Sequence, residues 1–156
     1  IAQPEANDAA MVVGVLPESE TGVMYRGRAA EKLVSQARLK PWEEFDTCPF
    51  EDLRNPGRLH IDPLGNAHIC QGISLGNLFQ SPLTEICNQY LPDTHPITGP
   101  LMKGGPAELA RQYSVSPREG YADACHLCFE VRRSLRGQLP QILVPDQMYG
   151  VIAGGE

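Results

Sequence analysis

The sequence predicts an α+β fold, and three observations carry that expectation. Hydrophobic residues make up 42% of the 156 and recur in short runs along the chain, which is enough for one domain or two small ones. A strand-then-helix pattern opens the chain, and a hairpin pattern with helical segments follows it. Gly 15 and Pro 14 are high counts, and they imply many turns without implying a disordered chain.

The elements follow in order. Residues 1–10 are polar and read as a frayed start. Residues 11–16 (MVVGVL) form a β-branched run that suits a buried strand. Residues 29–39 (AAEKLVSQARL) read as a helix, with Leu33, Val34 and Ala37 on one face. Pro41-Trp42 ends that helix, and residues 42–57 read as irregular. Residues 58–62 (RLHID) and 67–71 (AHICQ) pair as a hairpin across Pro63-Leu64-Gly65-Asn66, where Gly65 or Asn66 takes positive φ. Residues 72–78 read as a loop with a short extended piece. Ser81 reads as a helix N-cap with Pro82 at the first helical position. That helix runs to about Tyr90, with Leu83, Ile86, Cys87 and Tyr90 on one side. Residues 91–105 hold three prolines and three glycines and read as a long loop, and residues 106–113 as a short helix. Residues 121–135 (YADACHLCFEVRRSL) give the strongest helix, capped by Asp123. The segment after Gly137 alternates proline with apolar residues and is expected to pack across the surface.

Composition excludes some functions. The formal charge is −6, a poor match for nucleic acid, which selects a basic surface. No apolar stretch approaches the roughly 20 residues that span a bilayer, so no membrane partner is expected. The start lacks the basic and apolar regions of a secretory signal, and a cytoplasmic location is expected. The chain opens on Ile1 rather than Met, which reads as a fragment or processed piece.

Four cysteines carry the chemistry. Cys48 and Cys70 stand apart, and Cys125 and Cys128 form a C-x-x-C. Two residues three apart at a helix start lie on the same side, and a helix N-terminus favours thiolate charge. Cys70 leaves the second hairpin strand, and Cys48 precedes the first and can return beside it. Four thiolates from such a set can close around one iron–sulfur cluster or one zinc ion, and the ligand types alone leave both open. A dithiol oxidoreductase using Cys125 and Cys128 is a third reading, weakened by the lack of a βαβ pattern around them. The fifth cysteine, Cys87, is expected to pack as a small hydrophobe outside the set.

The spacing Cys48…Gly65-x4-Cys70, followed by Ile73-Ser74-Leu75-Gly76-Asn77-Leu78 and later by Cys125-His126-Leu127-Cys128, resembles the auxiliary-cluster region of radical S-adenosylmethionine (SAM) enzymes. No C-x5-C-x3-C follows the C-x-x-C, so the one-cluster twitch type is the better match than the two-cluster SPASM type. The segment MYRGRAAEKL resembles, over a shorter stretch, the last strand-to-helix turn of the partial β/α barrel in those enzymes.

The resemblance implies a barrel remnant over residues 1–44, a twitch-type domain over 45–136 and a tail over 137–156. It implies that Cys48, Cys70, Cys125 and Cys128 bind one auxiliary [4Fe–4S] cluster, which serves electron transfer or substrate positioning in a parent enzyme. The chain has no C-x3-C-x2-C for the SAM-cleaving cluster. SAM and an unidentified substrate are therefore expected only with an N-terminal barrel as partner, and the chain alone is not expected to be active. A zinc-stapled structural or binding module is the alternative.

Other polar residues have plain expectations. His68 and His126 can donate to a ligand sulfur, although the simpler positions are an outward strand site for His68 and an exposed site for His126. His60 and His95 have no constellation around them. Arg26 and Arg28 either touch SAM or substrate at a barrel mouth or lie on a solvated helix start. Glu43, Glu44, Asp46, Glu51 and Asp52 read as a solvated acidic loop.

Overall fold

The computed structural model describes residues 22–151. The expected strand over 11–16 lies outside the described residues. The described part mixes helices with two small antiparallel sheets, which agrees with the α+β expectation. In order, the elements are α1 (Arg28–Lys32), β1 (Lys40–Pro41), β2 (His60–Ile61), β3 (Asn66–Cys70), β4 (Ile73–Asn77), α2 (Leu83–Gln89), α3 (Thr98–Gln112), β5 (Gly120–Tyr121) and α4 (Ala124–Leu135).

The expected hairpin forms and gains a strand. β2, β3 and β4 make a three-stranded antiparallel meander. His60 stands opposite His68, and Cys70 opposite Ile73. The turn between β2 and β3 places Gly65 at φ 83°. Asp62 closes it by accepting from the Leu64 and Asn66 amides at 2.8 and 3.0 Å, as a short carboxylate does in an Asx-turn. The segment read as loop over 72–78 is strand β4. Ile73 and Ser74 are buried on it, and burial of a β-branched residue beside β3 favours pairing over a loop. β1 pairs with β5, placing Lys40 opposite Tyr121.

Two helices depart from expectation. The helix read over 29–39 stops at Lys32, continues as a 3₁₀ turn at Val34–Gln36 and becomes extended at Ala37. Only Ala30 on α1 is buried, and a short helix without an apolar face to bury is not sustained. Conversely, α3 begins at Thr98, inside the expected 91–105 loop. Pro100 lies in its first turn, where an amide hydrogen has no partner to lose. Thr98, Gly99, Pro100 and Leu101 are all buried, so packing overrides their weak helix propensity. The chain leaves helical geometry at Gly104 and Gly105, and Pro106 starts the second half.

α2 starts at Leu83, with Pro82 rather than Ser81 at the cap position. It lays Ile86 against Gly76 of β4. Cys87, expected on the apolar side, is exposed; the short helix buries Ile86 alone. α4 forms as expected, with the Asp123 carboxylate accepting from the His126 amide.

The core joins the meander to α3 and α4 through Ile69, Ile73, Ile97, Leu101, Leu109, Leu127, Phe129, Val131 and Leu135. The segment after Gly137, expected on the surface, adds Leu143 and Tyr149 to this core. Its apolar residues bury because Ser74 donates its amide to the Ile142 carbonyl at 2.8 Å, which pins the segment beside β4. Among the described residues no helix is long and apolar enough to cross a membrane.

Candidate functional site: a four-cysteine pocket

Three chain segments deliver the four cysteines to one pocket. Cys48 comes from the loop after β1, Cys70 from the end of β3, and Cys125 and Cys128 from the first turns of α4. All four line the same cavity, walled by Leu53, Ile73, Leu101 and Pro106. The sequence set is thus brought together, while Cys87 stands away from it. Cys128 is buried, and the other three are partly buried. Among the described residues no three His, Cys, Asp or Glu side chains converge closely enough to hold a single metal ion.

Local chemistry positions each sulfur. The Phe50 and Glu51 amides hydrogen-bond to the Cys48 sulfur, an arrangement of consecutive N–H groups that suits anions. Asp123 sets the entry angle of α4. Its carboxylate accepts from the His126 amide at 2.6 Å and from the Tyr25 amide at 3.1 Å, tying the segment before α1 to the start of α4.

The acidity of the thiols runs opposite to the sequence expectation. Burial pushes Cys48 up to about 11, reinforced by the neighbouring Cys128 and Cys70. Burial likewise raises Cys125 and Cys128. Desolvation outweighs the helix N-terminus here, because the pocket wall is apolar. Reactive dithiols need a lowered pKa, so this environment does not favour the oxidoreductase reading.

Two guanidinium groups complete the pocket. Arg26 Nη1 donates to Cys70 Sγ at 3.1 Å, so this side chain is not on a solvated helix start. Arg28 is exposed. Arg132 is 1% exposed. Its Nε donates to the Cys128 carbonyl at 3.2 Å, and its Nη1 to the Gln71 carbonyl at 2.7 Å and the Tyr149 hydroxyl at 3.1 Å. Tyr149 in turn donates to the Gly72 carbonyl at 2.6 Å. Arg132 was not singled out from sequence. The signal was present: it lies four residues after Cys128 on the same helix face.

Both histidines beside the cysteines are buried, against the exposed positions expected for them. His68 is 0% exposed, with Nε2 at 3.0 Å from Asp62 Oδ2; Ala67, His68 and Ile69 are buried in succession on β3, so both its faces are covered there. His126 is 1% exposed. Its Nδ1 accepts from the Ala122 amide at 3.1 Å, and its ring meets Tyr121 edge-on. Neither ring hydrogen-bonds a cysteine sulfur; their bonds go to Asp62 and Ala122. Glu43, Glu44, Asp46 and Asp52 are exposed, as expected of a solvated loop, whereas Glu51 is half-buried and pairs with Arg58 at 3.3 Å.

No protein-family model, curated protein or solved structure matches the chain.

Proposed function

We propose that Cys48, Cys70, Cys125 and Cys128 hold one [4Fe–4S] cluster, and that the chain is the auxiliary-cluster part of a radical SAM enzyme. One observation carries this reading: four thiols from three separate segments line a single apolar pocket that also presents a cationic donor at sulfur. The donor set fits the group, since such clusters are held by four thiolates.

Bound there, the cluster supplies a one-electron couple. The chain's own residues define its surroundings. Leu53, Ile73, Leu101 and Pro106 exclude water, while the Phe50 and Glu51 amides and Arg26 direct hydrogens at sulfur. With all four iron positions taken by cysteine, no iron is open to substrate, which favours electron transfer over direct ligation. The substrate, SAM and the cluster that cleaves it belong to the parent enzyme's barrel.

Iron, sulfide and zinc per chain, measured on anaerobically purified protein, test the reading. About four irons and four sulfides are expected. They should be lost in Cys125→Ala/Cys128→Ala and kept in Cys87→Ser. About one zinc without sulfide would replace this function with a structural staple.

A further inference from the structure

Arg132 is a cation buried without a counter-charge. Its three hydrogen bonds end on two backbone carbonyls and a phenol hydroxyl, all neutral. Among the described residues no Asp or Glu forms an ion pair with it, although Arg54, Arg58, Arg111, Arg118, Arg133 and Arg136 all have such partners. An unpaired charge in an apolar interior is strongly unfavourable. The side chain lines the pocket of the four cysteines, and its Nε bond to the Cys128 carbonyl holds it one helical turn from that residue. Arg26 approaches the same pocket with a direct bond to Cys70 Sγ. The Asp123 carboxylate, at the start of α4, is already engaged by the Tyr25 and His126 amides.

From this arrangement we infer that Arg132 and Arg26 are the counter-charges of an anionic thiolate-held cluster, and that they set its reduction potential. The inference rests on the cluster reading above and adds what that reading lacks, a reason for two guanidinium groups at one pocket. Four thiolates give a [4Fe–4S] site a net negative charge, and reduction by one electron makes it more negative. A positive charge fixed a few ångströms away in an apolar medium stabilises the reduced form more than the oxidised one. It therefore raises the potential. The hydrogen bond to Cys70 acts in the same direction, by drawing electron density from the ligand sulfur. Arg132 is buried and held by three bonds, so its charge cannot be replaced by solvent. Arg26, half-buried, contributes a smaller share.

The test is a spectroelectrochemical titration of the cluster in the full chain, with dithionite as electron donor, alongside iron content and the electron paramagnetic resonance of the reduced state. Arg26→Gln is expected to keep about four irons and to shift the potential downward. Arg132→Met is expected to shift it further down or to lose the cluster. Arg132→Lys keeps the charge and is expected to recover most of the potential, even though it loses hydrogen bonds. If Arg132→Met fails to fold, Arg26→Gln and Arg132→Lys decide. A cluster present at unchanged potential in Arg26→Gln, or at an equally lowered potential in Arg132→Lys and Arg132→Met, would overturn the charge role and leave the cluster assignment standing. Unmodified protein that binds no iron would instead remove the assignment on which the inference rests.

Discussion

His95 holds the start of α3. Its Nδ1 accepts from the Ile97 and Thr98 amides at 3.2 and 3.1 Å, doing with an imidazole what Ser or Asp does at most helix starts. Burial pushes its pKa down to about 4, since a protonated ring would be poorly solvated and could no longer accept at Nδ1. The consequence for stability has a definite sign. Above pH 6.5 the ring is neutral both folded and unfolded, and its contribution is complete. As pH falls from 6.5 towards 4, the unfolded chain takes up a proton that the folded chain refuses, and stability is lost. His95→Ala should cost about 1 kcal/mol at neutral pH and flatten the decline between pH 6.5 and 4. Denaturant titrations at several pH values check both effects. An unchanged slope in the variant would mean that other groups dominate that window.

At the scale of elements, the break in α3 positions Cys48. Gly105 has φ 60°, and a Cβ there would lie against the Thr47 amide and Asp46 carbonyl carbon and 2.7 Å from the Phe45 carbonyl oxygen. The Ala107 amide donates to that same Phe45 carbonyl at 3.0 Å. The two halves of α3 thus clamp the loop that carries Cys48, and only glycine fits the clamp. Gly105→Ala should destabilise the fold by about 2–4 kcal/mol, from positive φ and backbone overlap together. At temperatures where it remains folded, it should also bind less iron than the unmodified chain. Thermal denaturation followed by metal analysis separates the two effects; a folded variant with full iron content would show that the clamp does not govern Cys48.

This element also shows where sequence reasoning stops. α4 was readable because Asp123 is a capping residue ahead of a helical run, and the β2–β3 turn because Gly65 has few alternatives. The first half of α3 was hidden: Gly99, Pro100 and Gly104 argue against a helix locally, and only burial against the rest of the core makes one. The helix over 29–39 failed in the opposite way. Its propensity was adequate, but among the described residues Leu33 and Val34 are only partly covered, too little burial to sustain the helix.

Across the whole molecule, the pocket and the core are one structure. The C-x-x-C and the two single cysteines were legible as a candidate set because thiols are few and their ligand chemistry is read from residue type, whereas their guanidinium neighbours depend on how distant segments meet. Tyr149 is the clearest case. It is 1% exposed, stacks on Phe129 with centroids 5.7 Å apart, and bonds both Arg132 and the Gly72 carbonyl. It therefore fastens the segment after Gly137 to α4 and to the turn that follows Cys70. Tyr149→Phe keeps the stacking and removes only the hydroxyl, leaving the Gly72 carbonyl without its donor and Arg132 with one acceptor fewer. Such a loss costs about 1–3 kcal/mol. Ending the chain after Gly137 additionally removes Leu143 and the Tyr149 ring, about 1.5–3 kcal/mol of burial for each large side chain, a large fraction of the stability of a small domain. The truncated chain should therefore be unfolded or strongly destabilised, and Tyr149→Phe folded with a lower thermal midpoint. Circular dichroism melts of both variants, with and without reconstituted iron, make the comparison. Because a ligand that binds only the folded state raises its stability, loading should raise the midpoint of Tyr149→Phe. A truncated chain that melted like the full one would show that the last segment is not part of the core.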